Sequence, residues 1–203
     1  MWVFTRTLDG SSYWTRFELY ACRVRSLTLH NEISSSIFQS VFTHWPRTII
    51  FPNLQALRLC TGRAESFTVL AHPQLTHLDV AFCPVALMWW NATVQSTSTE
   101  RIKGFLHDLP AKAPYLRTLK LATMHSLVRH LQDSLCNALS KLKELEHVTL
   151  PVNWFSGEII STLSELPRLK SVQYLIIFRG EENIGDFDRS HWLLFSENSL
   201  SLT

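Results

Sequence analysis

A chain of 203 residues with 46% hydrophobic and 18% charged side chains has a globular composition and is too apolar to remain disordered. Nineteen basic against seventeen acidic residues leave a formal charge of +2, so bulk electrostatics gives no reason to expect nucleic acid or an anionic membrane as partner. Cys22, Cys60, Cys83 and Cys136 are dispersed without a C-x-x-C pair, which fits reduced thiols in the cytoplasm or nucleus better than a secreted disulfide framework.

Met1 to Leu8 lacks the basic-then-apolar layout of a signal peptide. The longest apolar run, Val80 to Trp90, is broken by Pro84 and is far shorter than the roughly 20 residues that span a bilayer. Tyr13, Trp14, Phe17 and Ala21 have helical spacing and predict a short helix in an N-terminal capping segment, residues 1–22. From residue 23 to 178 one pattern recurs, Leu-x-x-Leu-x-Leu, often opened by proline. Its copies are Val24 to Leu29, Leu54 to Leu59, Leu75 to Val80, Leu116 to Leu121, Leu145 to Leu150 and Leu169 to Tyr174. Most successive copies start roughly 20–30 residues apart, the spacing of leucine-rich repeats, and the longer interval from Leu75 to Leu116 holds an insertion. Cys83 and Asn153 fall where that signature places its Asn or Cys.

Helical stripes separate the strands. Ile37, Phe38, Val41, Phe42 and Trp45 form one, closed by Pro46. A short helix fits around Phe67 to Ala71. Thr97-x-x-Glu100 resembles a capping box ahead of Ile102, Phe105, Leu106 and Leu109, with Pro110 expected to end that helix. Leu127, Leu131, Leu135, Ala138 and Leu142 form the longest stripe, and Ile159, Leu163 and Leu166 the last. Residues 81–99 are expected to loop out, their tryptophans Trp89 and Trp90 packing back on the stack; the alternative is an exposed aromatic contact for a partner. Residues 179–203 are expected to be a loop and an apolar tail covering the far end. The expected fold is α/β: an irregular leucine-rich repeat solenoid of about six repeats, with a curved parallel sheet and helices on its other side.

Side chains alternate along a strand, so the residues between the leucines form a free face. Its first row is Ser26, Ala56, His77, Thr118, His147 and Ser171; its second is Thr28, Arg58, Asp79, Lys120, Thr149 and Gln173. The residues expected to bind a protein partner are Thr28, Arg58, His77, Asp79, Thr118, Lys120, His147, Thr149 and Gln173. His77 and His147 suggest a metal pair, but Thr118 separates them by two strand spacings, about 9–10 Å, and no third ligand is near. His30 beside Cys60 suggests a nucleophile without an orienting group or oxyanion donor. No phosphate-binding glycine loop, H-E-x-x-H or G-x-S-x-G occurs. The residues therefore predict a non-catalytic chain with no metal and no cofactor.

Several stretches resemble the leucine-rich region of fungal, mushroom-type F-box proteins. They are Trp14 to Leu27, Phe51-Pro52-Asn53-Leu54, Pro73-Gln74-Leu75-Thr76-His77-Leu78, Phe105 to Pro110 and Leu163 to Leu169. The resemblance covers roughly residues 14–178. It implies a substrate-recognition arm of a cullin–RING ubiquitin ligase adaptor, with a protein substrate as partner. The F-box segment itself, Leu-Pro-x-Glu-Ile-Leu followed by Ile-Phe, is not among these residues, so a Skp-type linker is implied only if that segment lies upstream. The alternative expectation is a truncated fragment or stand-alone repeat scaffold without a ligase role.

Overall fold

The computed structural model describes residues 11–30, 49–60, 67, 70–82, 92–123, 129–176 and 196–201. The helix expected over Ile37 to Trp45, the side-chain packing of Trp89 and Trp90, and Cys83 lie outside them. The described elements are α1 (Ser11–Ala21), β1 (Ser26–His30), β2 (Ala56–Cys60), β3 (His77–Phe82), α2 (Ala92–Lys112), β4 (Thr118–Thr123), α3 (Arg129–Lys141), β5 (His147–Pro151), a single 3-10 turn (Val152–Trp154), α4 (Gly157–Ser164), β6 (Ser171–Ile176) and β7 (Ser196–Ser201). Phe67 and Leu70 are also helical.

The strands form one sheet in the order of the chain, β1 to β7. β1 to β6 are parallel. Sequential neighbours that are also parallel require each connection to cross over a face of the sheet, and α2, α3 and α4 do so. α2 packs on α3 and α3 on α4, a helical layer that follows the strand order.

Each step begins with the same device. The amide of the motif's first apolar residue donates to the carbonyl three residues earlier: Val24 to Ala21, Leu54 to Phe51, Leu75 to His72, Leu116 to Ala113, Leu145 to Leu142 and Leu169 to Leu166, at 3.0–3.4 Å. These are six β-turns, and Pro52, Pro73, Pro114 and Pro167 occupy the second position in four of them. The proline ring locks φ into the range that this turn position needs, which is why Pro-x-Leu opens most copies. The residue after the turn then accepts two bonds from the next step. The Arg25 carbonyl takes the amides of Gln55 and Ala56, Gln55 those of Thr76 and His77, Thr76 those of Arg117 and Thr118, Arg117 those of Glu146 and His147, and Glu146 those of Lys170 and Ser171, at 2.8–3.1 Å.

The leucines pack between sheet and helices. Leu54, Leu57, Leu59, Leu75, Leu78, Leu116, Leu119, Leu121, Leu145, Val148 and Leu150 join Ile102, Phe105, Leu106, Leu109, Leu131, Leu135, Leu139, Ile159 and Leu163 in one buried cluster. Phe105 sits edge-on between Phe67 and Phe82, with ring centroids 4.7 and 5.2 Å away. Full burial of each aliphatic side chain stabilises by about 1.5–3 kcal/mol, and the six-step stack sums what one step cannot supply against its own ordering entropy. At the start of the sheet α1 places Phe17 against Phe51, centroids 6.3 Å apart, and buries Ala21.

Three expectations are corrected. The helix predicted to start at Thr97 begins at Ala92, so the Ser/Thr-rich half of the supposed looping segment is helical and Thr97 is no cap. Pro110 does not end it: the helix continues to Lys112, and the Ala113 amide still reaches the Leu109 carbonyl at 2.9 Å across the proline. Proline costs little there because only the last turn must accommodate its missing donor. Within the C-terminal segment expected as loop and apolar tail, Ser196–Ser201 are β7, antiparallel to β6 with Val172 opposite Leu200, while residues 179–195, which hold the expected apolar tail, lie outside the described ones. Asn153 is exposed within the 3-10 turn, and Trp154 beside it is the fully buried residue. The tight turn interrupts the strand's alternation, so the next inward position falls on the indole. Among the described residues no helix is long and apolar enough to cross a membrane.

Candidate functional site

The register aligns the predicted free-face rows. Ser26, Ala56, His77, Thr118, His147 and Ser171 stand opposite one another in turn, and so do Thr28, Arg58, Asp79, Lys120, Thr149 and Gln173. β7 extends them by register to Ser201 and Ser199. Eight of the nine predicted partner-binding residues retain some or much exposure; Thr149 is the exception, 6% exposed. Its short side chain lies between the longer Lys120 and Gln173, and its hydroxyl donates to Gln173 Oε1 at 3.2 Å. Thr149 thus orients Gln173 and offers little surface itself. Two residues further along the strands lies a third row, His30, Cys60, Ala81, Ala122, Pro151 and Leu175, in which Ala122, Pro151 and Leu175 are buried, and this narrows the accessible face to the strand-entry half.

Charges on the second row are ordered across strands. Arg58 Nε lies 3.2 Å from Asp79 Oδ2, and Asp79 stands opposite Lys120. The pair is partly exposed, so its worth is at the surface scale, about 0.2–1 kcal/mol, while it fixes where each charge is presented.

The histidines are held separately. Thr76 donates its hydroxyl proton to the Gln55 carbonyl at 3.1 Å, leaving its oxygen to accept from His77 Nδ1 at 2.8 Å. His147 Nδ1 is 2.8 Å from Ser171 Oγ. The predicted Thr118 does stand between them, and among the described residues no group of three or more His, Cys, Asp and Glu side chains is placed to hold a metal ion. His30 and Cys60 are opposite in register, but their side chains lie outside the described ones.

Sequence reasoning missed a further row just ahead of the strands: Arg25, Gln55, Thr76, Arg117, Glu146 and Lys170, the first five of them the residues of the two-bond carbonyl ladder. Glu146 is central to it, with Lys170 Nζ at 2.6 Å and Arg117 Nε at 4.0 Å. The hydrogen bond from Lys170 holds its carboxyl below the ordinary carboxylate range, assisted by the charges of Lys170, Arg117 and His147. Glu144 pairs with Arg168 in the turns below. The signal was present, one residue after the motif's first leucine in every copy, but it becomes a row only through the register.

One buried titratable group lies at the turns. His72, 3% exposed, takes the position that Ala21, Phe51, Ala113, Leu142 and Leu166 hold in the equivalent turns. Its Nδ1 accepts the Gln74 amide at 3.2 Å, and its Nε2 makes no hydrogen bond of good geometry. Burial lowers its pKa, opposed by the carbonyls of Phe51 and Leu54. Protonation would set an N–H at Nδ1 against the Gln74 N–H, so the turn favours the neutral ring.

Comparison of the chain with protein-family models, with curated proteins and with solved structures finds no match.

Proposed function

We propose that the chain is a non-catalytic protein-binding module, an irregular leucine-rich solenoid that presents its free sheet face to a protein partner. The observation that carries this reading is the alignment of two polar rows over six parallel strands, fixed by a turn and a carbonyl bridge that recur along the stack. Rigid spacing matters because side chains held in register lose less freedom on binding than side chains on loops. Arg58, Asp79 and Lys120, with His77 and His147 beside them, supply charge and hydrogen-bonding variety at the centre. The non-catalytic reading is supported by the dispersal of polar groups: the described buried polar residues, His72, Thr123 and Thr149, belong to different steps.

The resemblance to F-box adaptors extends the proposal to the substrate arm of a cullin–RING ubiquitin ligase; a stand-alone scaffold is the alternative. The test of the face uses the 203-residue chain as bait, with crosslinking and mass spectrometry to identify what it holds. Arg58→Glu with Lys120→Glu is expected to weaken capture of that partner at least tenfold, and unchanged capture removes the free face as its contact. Co-precipitation of a Skp-type linker with the full gene product supports the adaptor role, and its absence leaves the scaffold.

A further inference from the structure

Residues 22–25, 52–55, 73–76, 114–117, 143–146 and 167–170 occupy equivalent places in six successive steps, where the chain turns and enters each strand. Together they form one edge of the sheet, distinct from the free face. This edge carries Arg23, Arg25, Arg117, Lys143, Arg168 and Lys170, all exposed, against two carboxylates, Glu144 and Glu146. Six basic less two acidic residues leave +4. The four helices, by contrast, hold six basic and five acidic residues, and the two free-face rows hold Arg58 and Lys120 against Asp79. Among the described residues positive charge is thus segregated on the strand-entry edge, in a chain whose total is only +2.

The distribution along the edge is equally uneven. No carboxylate occurs at the edge positions of the first four steps. In the last two, Glu144 is matched by Arg168 and Glu146 by Lys170 and Arg117. Tyr115 projects from the middle of the same edge, 61% exposed.

We propose that this edge binds an acidic, extended segment of a partner protein. Neighbouring steps are about 4.8 Å apart and an extended peptide advances about 3.3 Å per residue, so Arg117 and Lys170, two steps apart, match carboxylates roughly three residues apart. Carboxylates within the edge repel a uniformly charged phosphate backbone but leave room for a peptide whose acidic residues are spaced. Tyr115 adds an aromatic contact that a peptide can use and that charge alone cannot exploit. The inference is independent of the free-face reading, since the two surfaces use different residues.

The probe is a fluorescein-labelled dodecapeptide of glutamate and glycine with one central phenylalanine, titrated against the 203-residue chain by anisotropy at low ionic strength. Saturable binding that falls steeply with added salt is expected. Arg117→Glu with Lys170→Glu is expected to weaken it at least tenfold and Tyr115→Ala several-fold, while Arg58→Glu with Lys120→Glu, an equal change of net charge, weakens it clearly less. If the charge-reversed edge variant loses its cooperative melt, Arg117→Gln with Lys170→Gln is measured instead and must still weaken binding. Absence of saturable binding, equal loss in the free-face variant, or tighter binding of a single-stranded oligonucleotide than of the peptide overturns the proposal.

Discussion

Leu119→Ala tests whether the repeated leucines hold the stack together. Leu119 has no exposed surface and stands in register between Leu78 and Val148, which are also fully buried or nearly so. Truncation removes three carbons, about 2.4 kcal/mol at roughly 0.8 kcal/mol per buried carbon. Strands on both sides prevent the site from collapsing, so a cavity contribution brings the expected loss to about 2–5 kcal/mol. For a domain of this size that is a fall in Tm of roughly 4–20 °C. Leu27→Ala is the comparison: Leu27 lies in the first strand and is only half-buried, so its loss should stay at about 1 kcal/mol. Urea unfolding followed by circular dichroism reads both variants, with the midpoint shifting and the slope constant. A loss below about 1 kcal/mol for Leu119→Ala, or equal losses for the two variants, would refute the packing argument.

The turns and the buried imidazole make further predictions. The turn over Leu142 to Leu145 carries Lys143 where four of the other five carry proline, so Lys143→Pro should stabilise by about 0.4–1 kcal/mol in the same urea assay, by restricting the unfolded chain. His72 has a folded pKa below its ordinary 6.5, so the stability it contributes is present in full above that pH and drains away as pH falls through the folded value. Melting curves between pH 7.5 and 5 should show this acid limb, and His72→Leu should flatten it; an unchanged limb would place the titration elsewhere. Glu146, whose carboxyl is held down by Lys170, contributes stability above its ordinary 4.5 that is lost on further acidification, and Lys170→Met should reduce that loss.

The register was legible before any coordinates because Leu-x-x-Leu-x-Leu fixes both the strand and its inward face, and His77, Thr118 and His147 fall in line as soon as the leucines are matched. Proline in the turns was visible as a motif, though its role at the second turn position needed the hydrogen bonds. The start of α2 was not legible. Serine and threonine from Ser96 to Thr99 have weak helix propensity and also resemble a cap, so packing decided what local preference left ambiguous. β7 escaped because Leu200 is its only large apolar residue, and an edge strand needs no apolar alternation to complete a neighbour's backbone bonds. Burial of Thr149 depended on the lengths of Lys120 and Gln173 across two strands. The basic edge stayed hidden because Arg25, Arg117 and Lys170 are isolated charges until the steps are stacked.

The two-donor carbonyl at Arg25, Gln55, Thr76, Arg117 and Glu146 separates the pitch of the structure from the length of its connections. The short excursion from Leu54 to Leu75 and the much longer one from Leu75 to Leu116 return to the same pair of bonds. What lies between one bridge and the next is therefore a free variable, open to insertion, deletion or grafting, provided that the turn and the carbonyl after it survive. A connection can be rewritten without shifting the strands on either side, so new contacts can be added at the margins while the central rows keep their spacing.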